Sequence, residues 1–343
     1  QISSTENKIR KEIAIMRKCS HQHIVRLYEV IDDPSAKKVY LIMEYCAGGE
    51  VKWRTPDNKP KLSLFQIRHI LRDISLGLEY LHYQGIIHRD VKPANILYTK
   101  NRTMVKLADL GSAHFSYAQR LALAGHDEAN LDEPLDQVLM NDKDITRTAG
   151  SPAFFSPELC YQGEDLNKPN EQLDPKYRIT NAIDIWALGI TLFAFLYGDI
   201  PWKNVQSEFA IYSVIVEETI VFPSEMGVER ITLATEAPDS IASQAHDLLN
   251  RMLQKDPSKR ATIADIKVST FRHTIAHHLP SRRCKPRRTP RSGPLIGTTS
   301  NFFALLHLFT TALRCHLPSD RPFLASLLGP LLTRFLPTAS PIH

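Results

Sequence analysis

The segment from Ile86 to Leu97, IIHRDVKPANIL, constrains this chain more than any other part of it. A carboxylate (Asp90), a cation (Lys92) and an amide (Asn95) lie within six residues, and Asp109-Leu110-Gly111 follows after a strand-like run. Phosphoryl transfer needs a carboxylate that orients the attacking hydroxyl, a cation for the transferred phosphate, and oxygen ligands for magnesium. The pattern therefore predicts Asp90, Lys92 and Asn95 as catalytic residues, with Asn95 and Asp109 as ligands of Mg²⁺.

These strings resemble the catalytic loop and the metal-binding loop of eukaryotic protein kinases, and the resemblance runs from about residue 6 to about residue 266. It implies an α+β fold of the protein kinase type, which has two lobes and a mainly helical large lobe. Lysine at position 92 is similar to Ser/Thr-specific kinases. The implied reaction is therefore transfer of the ATP γ-phosphate to a serine or threonine of a protein substrate.

The beginning of the chain resembles only part of the small lobe. Ile9, Ile13 and Met16 recur at helical spacing, as in the αC helix of the family. Glu12 stands where the family has the glutamate that pairs with a lysine of strand β3. No G-x-G-x-x-G string precedes residue 6, and no V-A-I-K-like strand is present. We therefore expect an incomplete small lobe in a truncated sequence, and a chain that as printed is inactive or nearly so.

The resemblance also divides the chain into regions. Residues 1–43 would be the remnant of the small lobe, 44–50 the hinge, and 51–270 the large lobe, with a long activation segment at 109–158. Residues 271–343 form a basic, Pro-rich tail without a kinase-like pattern, for which we expect disorder or mis-read sequence. Periodicity and turn signals predict two strands around a turn at 32–35, two short strands, and five helices. The predicted strands are 25–31, 38–43, 96–98 and 105–107, and the predicted helices are 64–81, 183–197, 205–216, 241–253 and 262–266.

The nucleotide-binding positions come from the resemblance rather than from spacing. Met43 would be the gatekeeper, backbone groups of the hinge would bond the adenine edge, and Glu50 would reach the ribose or the substrate. The residues expected at ATP are Glu12, Met43, Glu44, Cys46, Glu50, Leu97 and Asp109.

Four further residues have structural roles in the family. His88 is expected to be a packed core histidine rather than a proton carrier. Glu158 would pair with the buried Arg260, and Asp184 would hold the backbone of the catalytic loop.

Arg89 and Thr148 are the candidate regulatory residues. In the family, an arginine beside the catalytic aspartate binds a phosphorylated activation loop through charge-assisted hydrogen bonds. Thr148, with Thr146 as a second candidate, precedes Gly150-Ser151-Pro152. The alternative is that these are ordinary surface threonines.

Several strings narrow the resemblance to one group of kinases. The strings EIAIM at 12–16 and GSPAFFSPE at 150–158 resemble the calcium/calmodulin-dependent protein kinase kinases. The string GGEVKW at 48–53 is closer to their fungal relatives, which activate the sucrose-nonfermenting/AMP-activated kinase. The implied substrate is a threonine in the activation loop of another kinase. Calmodulin binding would need a basic amphipathic helix after the catalytic domain, and the tail supplies none.

The charge distribution and the cysteines limit where the protein can be located and which other partners it can have. Of the net charge of +5, the tail from residue 271 carries +9, so residues 1–270 carry −4 and nucleic acid is not an expected partner. Five scattered cysteines without C-x-x-C spacing fit a reducing compartment. We predict a cytoplasmic protein, with the nucleus as an alternative. The apolar stretches at 302–313 and 323–336 are shorter or more interrupted than the ~20 residues of a membrane span, so no span is expected.

A second function class stays open from the sequence alone. A short kinase-like chain without the ATP-gripping half could act as a non-catalytic binding module that holds kinase substrates. The intact set of large-lobe catalytic residues favours the enzyme.

Overall fold

The computed structural model describes residues 4–269, except 34, 37, 117–119, 121–148, 162–171, 203, 204 and 206. The candidate phosphosites Thr146 and Thr148 lie outside the described residues, and so do the tail from residue 271 and most of the predicted activation segment. The predictions for those regions therefore stay predictions.

The chain begins with a helix and a hairpin. Helix α1 (Ser4–Lys18) confirms the predicted helix, but of the three residues whose spacing predicted it, Met16 is buried, Ile13 is half-buried and Ile9 is exposed. Strands β1 (Leu27–Asp33) and β2 (Lys38–Met43) pair antiparallel. The predicted turn at 32–35 is wrong at its first residues, because the ladder continues until Asp33 lies opposite Lys38.

A three-stranded antiparallel sheet follows the hinge region. Its order is β3 (Gly49–Glu50), β5 (Ile96–Tyr98) and β6 (Val105–Leu107), with β5 in the centre. The amide of Val25 donates to the carbonyl of Leu107 at 2.8 Å, which joins the segment before β1 to this sheet. In a second antiparallel pair, β4 (Ile86–Ile87) forms the start of the catalytic string and β7 (His114–Phe115) follows Asp109-Leu110-Gly111.

Helix α2 (Leu64–Tyr83) carries the chain to the catalytic string. Ser63 and Gln66 form a capping box at its start, since each side chain accepts from the other's backbone N–H. Its buried apolar residues are those whose spacing predicted the helix: Leu64, Ile67, Ile70, Leu71, Ile74, Leu78 and Leu81.

The second half of the described chain is mainly helical. Helix α4 (Ala182–Tyr197) is buried on nearly all sides and packs against α2 and α6, as expected for a helix that is apolar all round. The predicted start of α5 at residue 205 is wrong, because Ser207 accepts from Ala210 N–H and caps the helix there. The remaining helices are α3 (Pro157–Cys160), α5 (Glu208–Glu217), α6 (Ile241–Met252) and α7 (Ile263–Val268), and a last hairpin joins β8 (Glu225–Met226) to β9 (Ile231–Thr232).

The helices and small antiparallel sheets confirm the predicted α+β class. Among the helices that the structure describes, none combines the length and the apolar character needed to cross a bilayer.

A buried ion pair ties α3 to the segment before α7. Arg260 donates from Nη1 and Nη2 to the two carboxylate oxygens of Glu158, at 2.7 and 2.9 Å. Both side chains are 0 % exposed, and Arg260 also donates to the carbonyls of Gln254 and Ala182. This bidentate pair fixes the end of the activation segment to the helical core.

Arg260→Met should lower the free energy of unfolding by about 3–5 kcal/mol, because it leaves the Glu158 carboxylate buried without its partner. Urea unfolding monitored by circular dichroism measures the change. The matched control is Arg230→Met, which removes the exposed pair with Glu225 (Arg230 76 % exposed) and should change stability by less than ~1 kcal/mol. Equal effects of the two substitutions would contradict this account of the buried pair.

Candidate active site

Asp184, at the start of α4, holds the backbone of the catalytic string. Its Oδ2 accepts from the amide of His88 and its Oδ1 from the amide of Arg89, both at 2.8 Å. Arg89 has φ +68°, a left-handed conformation that costs free energy for a non-glycine residue. The two hydrogen bonds that Asp184 accepts from the amides of His88 and Arg89 offset the free-energy cost of this conformation. Asp184 therefore fixes the loop that ends in Asp90.

The Asp184 carboxylate stays ionised although it is fully buried. Burial by itself would raise its pKa, but the hydrogen bond with His82 (Nε2 to Oδ2, 2.8 Å) and the hydrogen bond from the Arg89 amide outweigh that effect. The pKa of Asp184 therefore lies below its ordinary value of 3.8. A charged acceptor is available to both amides at neutral pH.

Asp90, Lys92 and Asn95 form one hydrogen-bonded group. Lys92 Nζ donates to Asp90 Oδ2 at 2.7 Å and to Ser151 Oγ at 2.8 Å. Asn95 Nδ2 donates to the carbonyl of Asp90 at 2.9 Å and to its Oδ2 at 3.0 Å. Asp90 Oδ1, in contrast, accepts no hydrogen bond from any residue that the structure describes. This buried oxygen is therefore the one whose capacity to accept a hydrogen bond is unused among the described residues.

The environment of Asp90 favours its charged form. Burial raises the pKa of this carboxyl, but the hydrogen bonds with Lys92 and Ser151, the Lys92 charge and Asn95 outweigh burial. The net pKa lies below the ordinary value of 3.8, so Asp90 is a carboxylate at neutral pH. It can orient a hydroxyl and take its proton as the phosphate bond forms.

Ser151 reaches this group because Gly150 lets two backbones approach closely. Gly150 has φ +113°, and a Cβ at this position would lie 2.4 Å from the carbonyl oxygen of Arg89. The turn that follows, at Pro152–Phe154, is held by Trp202, whose Nε1 donates to the carbonyl of Ala153 at 2.8 Å. The end of the activation segment is thereby held against the catalytic loop.

Asn95 and Asp109 are the residues predicted to bind the metal. Asn95 uses its Nδ2 for two bonds to Asp90, none of the bonds between described residues involves its Oδ1, and the amide of Ala108 donates to the Asn95 carbonyl at 2.9 Å, which holds the two segments together. Asp109 is exposed and has φ +64°, and its Oδ1 accepts from Gly111 N–H at 3.1 Å. Hard amide and carboxylate oxygens suit Mg²⁺, so the residues fit this ion. No group of three or more His, Cys, Asp or Glu that could hold a metal occurs within the described ranges.

The hinge offers backbone groups for an adenine ring. Gly48 N–H donates to the carbonyl of Tyr98, and Gly49 N–H donates to the carbonyl of Cys46. The carbonyl of Glu44 and the amide of Cys46 have no backbone partner in the part of the chain that the structure covers. An acceptor and a donor two residues apart match the edge of adenine, so this segment fits ATP.

The other residues predicted at ATP surround this hinge and the metal loop. Met43 ends β2 and is half-exposed, and Leu97 is half-buried on β5 opposite Glu50. The Glu50 side chain is exposed and receives a hydrogen bond from Lys52. Burial raises the pKa of the Cys46 thiol, with a further contribution from the Glu44 carboxylate, so Cys46 is an uncharged packing residue.

Glu12 faces the metal loop. Its carboxylate lies 3.5 Å from the position that a Cβ would take on Gly111, and Asp109 Oδ1 lies 3.1 Å from the same point. Burial and the Asp109 charge both raise the pKa of Glu12. None of the ion pairs between described residues includes Glu12.

His88 and Arg89 occupy the places expected of a core residue and a regulatory residue. His88 is fully buried, and burial lowers its pKa although several nearby carboxylates oppose the shift. It is therefore a neutral packing residue. Arg89 is also buried, and burial lowers its pKa while Asp184 opposes the change. Its predicted partner Thr148 lies outside the described residues.

The sequence analysis missed three residues that contact the site. Ser151 bonds Lys92 across 59 positions of sequence. Lys106 forms an ion pair with the hinge residue Glu44, and the buried Asp73 accepts from the amide of Val105 at 3.0 Å. Asp73 on the buried face of the amphipathic α2 was the one visible signal, because a carboxylate is rarely buried unless it is paired, and Asp73 pairs with Arg72.

Comparisons with known proteins agree with this geometry. Residues 1–272 match the family described as protein kinase domain. The chain is 45 % identical over 266 residues to serine/threonine-protein kinase ssp1 of Schizosaccharomyces pombe, covering 78 % of this chain and 34 % of that protein. It is 41 % identical over 288 residues to SNF1-activating kinase 1 of Saccharomyces cerevisiae, covering 81 % and 24 %. A calcium/calmodulin-dependent protein kinase kinase of Caenorhabditis elegans is 36 % identical over 265 residues, covering 77 % and 40 %. The chain thus spans less than half the length of these relatives.

Asp184→Asn should destabilise the protein by about 2–4 kcal/mol at pH 7, because it weakens the charged acceptor of two buried amides. The folded-state pKa is depressed, so this contribution is present above pH 3.8 and is lost as the pH falls below that value. Urea unfolding of both proteins between pH 7 and pH 3 measures the difference, which should shrink at the acidic end. Asp247→Asn, at an exposed carboxylate, is the control and should have a small effect throughout. A difference between Asp184→Asn and wild type that grows on acidification would contradict the assignment.

Proposed function

The chain belongs to the protein kinase family, and we propose that it is the catalytic part of a protein serine/threonine kinase. The observation that carries the proposal is the group formed by Asp90, Lys92 and Ser151, in which one carboxylate oxygen is bound and the other has no partner among the described residues.

The roles of the chain's own residues follow from this geometry. Asp90 Oδ1 accepts the hydrogen bond of the substrate hydroxyl and takes its proton, while Lys92 holds Oδ2 and offsets charge that develops on the transferred group. Asn95 fixes Asp90 and offers Oδ1 to a metal, and Asp109 offers the second ligand. ATP would supply the phosphate, and Mg²⁺ would neutralise its oxygens.

For the substrate, we propose a threonine in the activation loop of another kinase, in intracellular signalling. Support comes from the relative named SNF1-activating kinase 1, whose name describes action on a kinase. A cavity of about 420 Å³ beside Ser151 offers apolar contacts to a peptide next to the acceptor hydroxyl; it is lined by Pro152, Ala153, Ile200, Trp202, Val205 and Ile211, together with Ser207. A cytoplasmic location fits Cys19, Cys46 and Cys160, which are free thiols.

Arg89 is proposed as the receptor for a phosphate on Thr148. Burial, followed by the charges of Lys11 and Arg89, lowers the pKa of His114 to about 3. Lys11 and Arg89 are therefore two cations that lie close enough to act on the neutral His114. A phosphothreonine would bring negative charge to this basic cluster.

A second candidate function is a binding module that holds kinase substrates without phosphate transfer. The absence of Glu12 from the ion pairs of the described residues favours it, since the family's glutamate at this place pairs with a lysine that contacts the phosphates. Both candidates predict substrate binding, and only the first predicts phosphate transfer.

In a version of the chain that also carries a glycine-rich loop and a lysine partner for Glu12, Asp90→Asn should reduce phosphate transfer to the substrate threonine by about 10²–10⁴-fold, because it removes the general base. The assay follows labelled γ-phosphate on a kinase substrate whose activation-loop threonine is present or replaced by alanine. Asp239→Asn, at an exposed surface position, is the control and should retain full activity.

Each outcome of this assay separates the candidates. Transfer by the wild-type chain that depends on the substrate threonine and on Asp90 supports the kinase. Binding of the substrate without transfer, even when the wild-type sequence carries the added loop and lysine, would favour the binding module. Equal phosphate transfer by the wild type and by Asp90→Asn would contradict the proposed mechanism.

Thr148→Ala should lower transfer about tenfold, because it removes the phosphate that would neutralise the Arg89 cluster. Phosphatase treatment should lower wild-type activity to the same level and leave the variant unchanged. Thr103→Ala, at an exposed turn, is the control and should behave as wild type. Activity of Thr148→Ala equal to that of wild type would remove Thr148 from the mechanism.

A further inference from the structure

Strand β6 is the point at which four parts of the site are joined. The amide of Val105 donates to Asp73 Oδ2 on α2, and Leu107 exchanges hydrogen bonds with the segment before β1 through its amide and its carbonyl. Lys106, between them, directs its side chain to the hinge. Two residues after the strand, the chain reaches Asp109.

The Lys106 contact is a largely buried ion pair. Lys106 Nζ lies 2.9 Å from Glu44 Oε1, and the two side chains are 11 % and 23 % exposed. The other carboxylate oxygen, Oε2, accepts from the amide of Arg26 at 3.3 Å, while the amide of Glu44 donates to the Arg26 carbonyl at 2.8 Å. Glu44 is therefore held through its backbone and through both side-chain oxygens.

These contacts fix the orientation of the peptide groups that remain free in the hinge. Glu44 carries the carbonyl, and Cys46 the amide, that have no backbone partner within the described ranges. The charges of Glu44 and Lys106 both act on the Cys46 thiol, so the ion pair lies beside these groups. A side chain anchored on β6 thereby determines where the adenine-binding groups point.

We propose that Lys106 is a positioning residue for nucleotide binding, which acts through Glu44 to fix the hinge backbone and to couple it to the strand that leads to Asp109. The inference rests on the proposed function, because it assigns the hinge to adenine and Asp109 to the metal. It adds a residue that touches neither ligand and that makes the two ends of the nucleotide site depend on each other.

Removing one partner should release the other. In Lys106→Met, the Glu44 carboxylate is left largely buried without its cation, which is unfavourable unless the side chain turns to solvent. That turn breaks the bond to the Arg26 amide and loosens the hinge. In the double variant Glu44→Gln/Lys106→Met, no charge is stranded, so its effect should be no larger than that of either single substitution.

The first test is hydrogen exchange of the free protein, which needs no ligand. Lys106→Met should accelerate amide exchange at least ~3-fold in peptides covering 43–50 and 105–111, while the peptide covering α4 keeps its wild-type rate. Lys59→Met, which removes an exposed ion pair with Asp57, is the matched control and should leave all three regions unchanged. The charge-reversed pair Glu44→Lys/Lys106→Glu should restore slow exchange in part, because the ion pair returns while the acceptor for the Arg26 amide does not. Unchanged exchange at 43–50, or equal acceleration everywhere, would overturn the proposal.

The second test is adenosine affinity by calorimetry, at a temperature where all variants are folded. Lys106→Met should weaken binding about fivefold, with recovery in the charge-reversed pair. A purely structural role would lower the melting temperature and leave this affinity unchanged, and that result, like tighter binding, would contradict positioning. If the wild-type chain binds no adenosine, the proposed nucleotide site is contradicted. The role of Lys106 in fixing the hinge is then tested by the hydrogen-exchange experiment alone.

Discussion

The candidate site depends on one buried carboxylate, Asp184. A buried charge is costly unless it is fully hydrogen-bonded, and Asp184 is bonded by two backbone amides and a histidine. These bonds hold Arg89 in a left-handed conformation next to the buried Asp90. Since Asp184 lies in the first turn of the buried helix α4, the position of the reacting carboxylate is set by the packing of α4 against α2.

The second feature of the site is that residues far apart in the sequence meet through short polar contacts. Lys92 meets Ser151, Lys106 meets Glu44, and Glu158 meets Arg260. The first contact joins the end of the activation segment to the catalytic loop, the second joins β6 to the hinge, and the third joins α3 to the segment before α7. Charge-assisted bonds of this kind specify geometry more than they add stability, because both groups lose their water. The arrangement suits an enzyme in which a few atoms must stay within tenths of an ångström.

Sequence patterns predicted those parts of the molecule that depend on local chemistry. The apolar spacing of α2 predicted its extent within two residues, and the catalytic string predicted that Asp90, Lys92 and Asn95 would form one group. The patterns did not predict Ser151 or Lys106, because a serine after a glycine or a lysine inside a strand carries no local signal of a distant partner. The start of α5 was missed because its cap, Ser207, overrides the apolar pattern that begins at residue 205.

The most direct test of the account is a crystal structure of this chain with a non-hydrolysable ATP analogue and Mn²⁺, in which anomalous scattering locates the metal. The account predicts the adenine edge at the Glu44 carbonyl and the Cys46 amide, and the metal bound by Asn95 Oδ1 and the Asp109 carboxylate. A nucleotide bound away from the hinge, or a metal that contacts neither residue, would contradict the claim that this geometry is a phosphoryl-transfer site.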